Sequence, residues 1–171
     1  MDGTVALFWL VTSLFDMNQT DCATGCLMRH AAAERISIQT ASLQFQREEI
    51  GREFYLGYDF DHAYGPFQPT VAASMTNRND VWIGAGFKWT SEDLIEGPIF
   101  LEASFIPGLH FRDDGPNIGG EVQFRSAVGA GYAFEQGATL TVSWDHRSNG
   151  DTRAINPGLE TLSIRYAFPL N

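Results

Sequence analysis

The sequence has no long apolar run, few basic residues and little cysteine. No stretch of about 18 consecutive apolar residues occurs, which excludes a membrane-spanning helix. The 11 lysines and arginines stand against 21 acidic residues, and a formal charge of −10 argues against binding nucleic acid, whose phosphates need a basic surface. Cys22 and Cys26 lack a matching histidine or cysteine cluster, so they favour a small disulfide loop or two free thiols over a zinc site.

Glycine and aromatic residues are abundant instead. The 171 residues include 17 Gly, 13 Phe, 5 Tyr and 4 Trp, a composition that favours a single domain of strands and turns. The mean hydropathy is slightly negative. In a membrane β-barrel, polar residues that face the interior offset the apolar residues that face lipid. The low mean hydropathy is therefore not evidence of a soluble protein.

From residue 35 onward, apolar and polar residues alternate with the period of two that is typical of β-strands. Turn-rich stretches separate eight such segments, near residues 35–46, 53–62, 67–76, 80–90, 98–107, 121–134, 138–148 and 159–168. The first is irregular, because Ile36 and Ile38 are out of phase with Ala41, Leu43 and Phe45, as a β-bulge would produce. Together the segments predict an all-β protein, an eight-stranded antiparallel up-and-down β-barrel of the outer-membrane type.

The second face of each strand carries small residues and charges of both signs, among them Asp59, Lys88, Glu102 and Arg125. Such residues suit the narrow interior of an eight-stranded barrel whose apolar faces meet lipid. A soluble lipocalin-like barrel, which binds an apolar ligand inside, inverts this arrangement, and alternation alone does not separate the two. Strand lengths of about ten residues and aromatic residues near strand ends favour the membrane barrel.

The barrel domain is predicted to span residues 35–171, with residues 1–34 as an N-terminal extension. A run of apolar residues from Val5 to Phe15 has the length of a signal-peptide core. No positive charge precedes this run, however, and the cleavage-like residues 31–33 lie far downstream. The sequence therefore leaves open whether the extension is a secretion signal or an irregular periplasmic or interfacial segment.

Two predicted strands carry polar residues on their apolar faces. On the first strand, His146 and Ser148 continue an apolar stripe formed by Leu140, Val142 and Trp144. On the second strand, Glu160 precedes an apolar stripe formed by Leu162, Ile164, Tyr166 and Phe168. With both ends of the barrel in the periplasm, these three residues fall at the outer ends of neighbouring strands and face the outer leaflet. Residues two apart on a strand lie about 6.6 Å apart, so an imidazole can lean toward a hydroxyl. The pattern predicts the nucleophile, base and orienting carboxylate of an acyl hydrolase acting on lipid esters.

The same segment resembles a known family. Its residues read Asp145-His-Arg-Ser-Asn-Gly150, then Ile155-Asn-Pro-Gly158, then Glu160. They resemble the lipid A 3-O-deacylase family of Gram-negative outer membranes, whose motif is His-x-Ser-Asn-Gly, then Asn-Pro-Gly, then Glu. The resemblance implies an outer-membrane esterase that hydrolyses an ester-linked acyl chain of lipid A.

The resemblance also implies a role for each motif residue. Ser148 would be the nucleophile and His146 the base, with Glu160 completing the triad. Asn156 would help to form the oxyanion hole, and Asn149, the other asparagine of the motif, would support it. No metal or cofactor is implied. The implied partners are lipid A, as part of lipopolysaccharide, and the lipid of the outer membrane, and a homodimer is left open.

Arginine is the side chain best suited to hold a lipid phosphate, because its guanidinium matches the phosphate oxygens bidentately. The strand parity of Arg147 directs it inward, so Arg153 in the following loop is the stronger candidate. Residues 148–151 and 156–158 are also good turn sequences. Two alternatives to the esterase therefore stay open, a noncatalytic small outer-membrane barrel and a soluble lipocalin-like barrel that binds an apolar ligand.

Overall fold

The computed structural model describes residues 3–170. The chain begins with helix α1 (Thr4–Asp16) and a π-helical segment (Met17–Asp21). Ten strands follow: β1 (Arg29–Ala31), β2 (Arg35–Phe45), β3 (Glu48–Asp59), β4 (His62–Tyr64), β5 (Gln68–Thr76), β6 (Val81–Thr90), β7 (Ile99–Phe111), β8 (Val122–Ala133), β9 (Thr139–Ser148) and β10 (Leu159–Pro169).

Eight of these strands close into an antiparallel barrel in the order β10-β2-β3-β5-β6-β7-β8-β9. The barrel closes through β10 and β2, where Pro169 pairs with Arg35. Strands β1 and β4 form a separate two-stranded sheet. The predicted eight-stranded antiparallel barrel is confirmed. Its end with Arg35 and Pro169 is called the terminal end below, and the end with connections 112–121 and 149–158 is called the long-loop end.

The barrel interior is polar and charged. In its long-loop half, the Glu53 carboxylate accepts hydrogen bonds from Arg147 at 2.6 Å and Ser74 at 3.0 Å, and its other oxygen lies 2.8 Å from Arg125. Arg125 in turn donates to Asp145 at 2.6 Å. In the terminal half, ion pairs join Lys88 to Asp59 and Arg165 to Glu102. Each buried charge of these groups thus has a partner of opposite sign, as burial in a low dielectric requires.

Apolar side chains cover the outside of the barrel. Those 38–55% exposed on the barrel strands include Ile36, Ile38, Phe54, Leu56, Val71, Met75, Ile83, Phe87, Leu101, Leu109, Val142, Leu162 and Ile164. An apolar outside with a charged inside is the arrangement of a membrane barrel and the reverse of a lipocalin-like one. The alternative of a soluble barrel with an apolar interior does not fit this structure.

The irregular alternation of β2 has a different cause from the predicted bulge. The strand alternates without a break, so that Ile38 faces outward while Ala41 and Leu43 face inward. Leu43 is buried against Ile118 and Leu159 in an apolar cluster inside the long-loop end. A register shift with β3 does occur, but only beyond Leu43. The bulge explanation is therefore wrong. The apolar residues of β2 face lipid in its first half and the barrel interior in its second half, because the interior is apolar near Leu43.

Helix α1 lies against the outside of β7 and β8. Trp9 stacks on Phe105 of β7 with a ring separation of 5.6 Å. At the end of the helix, the indole N–H of Trp89 donates to Asp16 at 2.7 Å, and Trp89 is 5% exposed although its strand position faces outward. The helix thus replaces lipid over part of the barrel surface.

Between α1 and the barrel, a disulfide joins Cys22 to Cys26. None of the helices in residues 3–170 is long and apolar enough to cross a membrane. The division into residues 1–34 and 35–171, and the signal-like nature of the first part, stay predictions. Residues 1, 2 and 171 of these two regions lie outside the described residues.

A charge placed on the outside of the barrel tests whether that face meets lipid. Ile164 lies in the middle of β10, between Val142 and Thr40 on the neighbouring strands. We expect Ile164→Arg to destabilise the barrel in vesicles by about 2–4 kcal/mol, because the charge must leave water near the bilayer midplane. Urea unfolding followed by heat-modifiable gel mobility measures this change. Ile155→Arg, in connection 149–158, is the control, and equal stability of the two variants would contradict a lipid-facing β10.

Candidate active site

Strand β9 presents two different sets of side chains at its long-loop end. Asp145 and Arg147 point into the barrel, where they are 2% and 1% exposed and bonded to the interior ion pairs. His146 and Ser148 therefore lie on the outward face, because side chains alternate along a strand. The ion pair of Arg147 with Glu53 anchors β9 from inside directly between these two outward residues.

His146 and Glu160 stand opposite each other on neighbouring strands. They are register partners of β9 and β10, and Nδ1 of His146 lies 3.4 Å from Oε1 of Glu160. The imidazole is nearly buried, whereas the carboxylate is about one third exposed. When Nδ1 carries the proton and directs it to Glu160, Nε2 is left as a hydrogen-bond acceptor. A proton on Nδ1 facing Glu160 would give the imidazole the tautomer that a general base needs.

Nε2 of His146 is buried and has no hydrogen-bond partner within residues 3–170. Buried polar atoms are normally paired, so this nitrogen is an exception that calls for a reason. Ser148 follows two residues later on the same face, about 6.6 Å along the strand. Its hydroxyl makes no hydrogen bond to the imidazole in this structure, and catalytic hydrogen bonds often form only when substrate is bound. The site thus combines an imidazole nitrogen that has no partner among the described residues with a nearby hydroxyl.

Gly158 and Trp144 hold the imidazole ring in place. The rings of Trp144 and His146 are stacked, with centroids 6.4 Å apart. Gly158 has a φ of +76°, and a Cβ atom at this residue would lie 2.6 Å from Cε1 of His146. Only glycine suits both this backbone conformation and this close approach. The Asn-Pro-Gly sequence therefore makes room for the imidazole in addition to forming a turn.

Asn149 ties together the connections at this end of the barrel. Its side chain is fully buried, and its amide donates to the backbone oxygens of Gly119 and Ile155, both at 2.7 Å. Its backbone N–H donates to Oδ1 of Asn156 at 3.1 Å. The side-chain amide is thus directed to the loops and not to Ser148. The side chain of Asn149 braces connection 149–158 against connection 112–121, and its support of an oxyanion hole stays a prediction.

Asn156 lies in an exposed part of connection 149–158. Its Nδ2 donates one hydrogen bond to Asp151 at 2.7 Å. An amide nitrogen carries two protons, so a second one remains for another acceptor. Asn156 therefore positions the backbone of Asn149 through its oxygen while keeping a donor available.

Arg153 is exposed and lies beside Gly120 of the neighbouring connection. The inward direction predicted for Arg147 is confirmed by its bond to Glu53. The structure thus brings together His146 and Glu160, while Arg153 lies on the side of the site toward connection 112–121. Among the described residues, no group of three or more histidine, cysteine or acidic side chains could hold a metal ion.

Two contributors to the site were missed by reasoning from the sequence. Glu53 anchors β9 from a distance of 94 residues along the chain, and no local pattern indicates this pairing. Gly158 was interpreted only as part of a turn, although its place in Asn-Pro-Gly, two residues before Glu160, was a usable signal. A glycine next to a candidate catalytic residue can mark a close backbone approach.

The closed eight-stranded barrel with an apolar outside belongs to the outer-membrane class of β-barrels. The family described as "Lipid A 3-O-deacylase (PagL)" matches residues 41–169, and the chain belongs to this family. The curated protein "Lipid A deacylase PagL" of Pseudomonas aeruginosa is 33% identical over 54 residues, which are 32% of this chain and 31% of that protein. The match thus spans about a third of the length of this relative.

Solved structures agree on the fold. The crystal structure of the outer membrane enzyme PagL has a TM-score of 0.64 and 20% identity, covering 80% of this chain and 99% of that chain. The crystal structure of Neisserial surface protein A has a TM-score of 0.62 and 11% identity, covering 82% and 99%. At such low identity, these two similarities support only the fold, that of an outer-membrane β-barrel.

Proposed function

We propose that this protein is an outer-membrane esterase that removes the 3-O-linked acyl chain of lipid A. Family membership supports lipid A deacylation as the activity. The observation that carries the proposal is the His146 imidazole. Its Nδ1 contacts Glu160, its Nε2 has no partner within residues 3–170, and it lies on the same outward face as Ser148. Acyl esters meet this face because it lies on the lipid-covered outside of the barrel.

In the proposed reaction, Oγ of Ser148 attacks the ester carbonyl while Nε2 of His146 takes the hydroxyl proton. The tetrahedral intermediate then breaks its bond to the sugar oxygen, which receives that proton from His146, leaving an acyl-serine. Water attacks the acyl-serine with His146 again as base, and the fatty acid and free Ser148 result. Glu160 holds the imidazole and stabilises its charged form.

The oxyanion of each intermediate needs hydrogen-bond donors. We assign this role to the second Nδ2 proton of Asn156 and to backbone amides next to Ser148 and Asn149. The Asn149 side chain supports these donors by bracing the loop that carries them. We assign Arg153 to a phosphate of the substrate, because it is exposed and adjoins the site through connection 149–158.

We also propose an orientation of the barrel in the membrane. With the chain ends of the barrel in the periplasm, the long-loop end faces the outside of the cell, and His146 and Ser148 face the outer leaflet. Lipopolysaccharide resides in that leaflet, so substrate and site would share one layer of the membrane. A homodimer is not needed for the chemistry, because all proposed catalytic groups come from one chain.

Mass spectrometry of lipid A tests the function. Purified protein, folded in detergent, is incubated with lipid A in mixed micelles, and the expected product lacks one ester-linked acyl chain. Brisk cleavage of phospholipids with unchanged lipid A would contradict the proposed substrate. Absence of ester hydrolysis in every lipid would favour the noncatalytic barrel.

Gly158→Ala tests the positioning of the imidazole. The added methyl group would force His146 to move, and we expect deacylation to fall about a hundredfold, since a displacement of about 1 Å in a catalytic group has that effect. Gly97→Ala is the matched control, because Gly97 also has a positive φ of 110° but no atom within 4 Å of the added Cβ. Equal activity of the two variants would show that Gly158 does not position His146.

A further inference from the structure

Polar side chains occupy the lipid-facing side of β2 and β3 next to Glu160. At the long-loop end, the outward residues of β5, β6 and β7 are apolar, as in Met75, Ile83 and Leu109. The outward residues of this part of β2 are Thr40, Ser42 and Gln44, and β3 contributes Arg52. A membrane barrel keeps polar groups off its lipid face unless they have a partner there. This group, called the polar patch below, therefore needs an explanation.

The strand register places the polar patch beside the candidate triad. Gln44 is the register partner of Glu160, on the side away from His146. Ser42 lies two residues along β2, and Arg52 of β3 is its register partner. Three strand spacings separate β9 from β3, which is a distance of about 14 Å across the strands. That distance suits a disaccharide headgroup with phosphate at its end.

Two polar side chains of the polar patch, those of Ser42 and Arg52, have no hydrogen-bond partner among the described residues. Oγ of Ser42 is buried without a hydrogen bond, and the Arg52 guanidinium has neither an ion pair nor a hydrogen bond within residues 3–170. The interior does not need Arg52 as a counter-charge, because Glu53 is already paired with Arg125 and Arg147. The exposed Arg52 guanidinium is thus available to a ligand outside the barrel, whereas the Ser42 hydroxyl would have to turn outward to reach one.

A groove adjoins the polar patch. Its volume is about 300 Å³, and its lining includes Thr40, Arg52, Phe54, Met75 and Asn77. The aromatic and thioether side chains suit an acyl chain, while arginine at the same groove suits the phosphate above that chain. A phosphorylated lipid with several acyl chains fits this combination of surfaces.

We propose that Ser42, Gln44 and Arg52 form a headgroup site that binds a phosphate and neighbouring polar groups of the lipid substrate. Arg52 binds the phosphate, Ser42 and Gln44 contact sugar hydroxyl or amide groups, and another acyl chain of the same lipid lies in the groove. This inference rests on the proposed function, because the bound lipid is the one whose ester lies at Ser148. The site lies on the opposite side of the triad from Arg153.

Kinetics with two substrates test the headgroup site. KM and kcat are measured with bisphosphorylated and with dephosphorylated lipid A in mixed micelles. The four proteins compared are wild type, Arg52→Gln, Arg52→Lys and the control Arg112→Gln. For the phosphorylated substrate, Arg52→Gln should raise KM about tenfold with kcat near wild type, as expected for loss of one charge-assisted contact. Arg52→Lys should restore part of the affinity, because it keeps the charge but not the bidentate geometry. For dephosphorylated lipid A, all four proteins should have similar KM values.

Several results would overturn the headgroup site. These are an unchanged KM in Arg52→Gln, an equal rise for both substrates, or a change of oligomeric state, which would make the polar patch a subunit contact. An Arg52→Gln effect that follows the anionic phospholipid content and not the substrate phosphate would assign the site to a neighbouring lipid. If Arg52→Gln does not fold, Arg52→Lys is compared with wild type, and an unchanged KM of Arg52→Lys for the phosphorylated substrate would overturn the site.

Failure of the proposed function is measured separately. Binding of both lipids to Ser148→Ala, with and without Arg52→Gln, requires no turnover. Phosphate-dependent binding that Arg52→Gln weakens would support the headgroup site even if wild type left lipid A intact. Equal binding of both lipids by the two proteins would overturn it, whatever the activity.

Discussion

Ser148→Ala is expected to reduce lipid A deacylation by about three orders of magnitude or more, because the proposed nucleophile is removed. His146→Ala should be similarly severe, and the double variant should lose little further activity, since the two residues act as one unit. Glu160→Gln should cost less, because Glu160 orients the imidazole and takes no part in bond formation. Release of fatty acid from lipid A in mixed micelles measures all four proteins.

Folding is the control for these variants. The alanine substitutions remove polar groups from the outside of the barrel and Glu160→Gln removes only a charge, so the heat-modifiable gel mobility should match wild type. Turnover near wild type in Ser148→Ala would rule out this mechanism. Loss of both turnover and folded mobility would instead indicate that the residue is structural.

Glu53→Ala is expected to destabilise the folded barrel by about 3–5 kcal/mol, because it leaves two buried arginines without their shared carboxylate. Glu53 lies 2.6 Å from Arg147 and 2.8 Å from Arg125, and it is 1% exposed. Urea unfolding in lipid vesicles measures the change. Deacylation should fall as well, since Arg147 anchors the strand that carries His146 and Ser148.

Ser74→Ala is the matched control for Glu53→Ala. It removes one hydrogen bond to the same carboxylate, at 3.0 Å, and one long hydrogen bond from Arg125, at 3.5 Å, and it leaves both ion pairs in place. We expect a loss of about 1 kcal/mol in stability, the usual net contribution of one such bond. If Glu53→Ala were no more destabilising than Ser74→Ala, water inside the barrel would be compensating the arginines, and the ionic network would not anchor β9.

Most of the barrel could be predicted, because the alternation of apolar and polar residues with a period of two indicates which side chains share a face of a strand. All eight predicted segments correspond to the eight barrel strands, within a few residues at their ends. The same periodicity placed His146, Ser148 and Glu160 on outward faces, which the register of β9 and β10 bears out. Periodicity failed at Leu43, because it cannot tell an apolar residue in lipid from one in an apolar part of the interior.

Other features depend on contacts between distant parts of the chain. The Asn149 amide donates to backbone oxygens of two different connections. These oxygens come together only when both connections are folded, so the sequence does not indicate where the amide points. The packing of α1 on β7 through Trp9 has no sequence signal beyond the apolar run itself. The roles assigned to Asn149, Asn156 and Arg153 remain predictions that activity measurements must test.

The charged interior also bears on the permeability of the membrane in which the barrel sits. Trp82 is fully buried in the interior, and the guanidinium groups of Arg125 and Arg147 lie 5.3 and 5.4 Å from its ring. Ile118 packs with Leu43 and Leu159 in an apolar cluster at the long-loop end. An ion entering this interior would have to displace paired charges held by their neighbours. We therefore expect the barrel to leave the membrane impermeable to ions, which the electrical conductance of a planar bilayer containing it would measure.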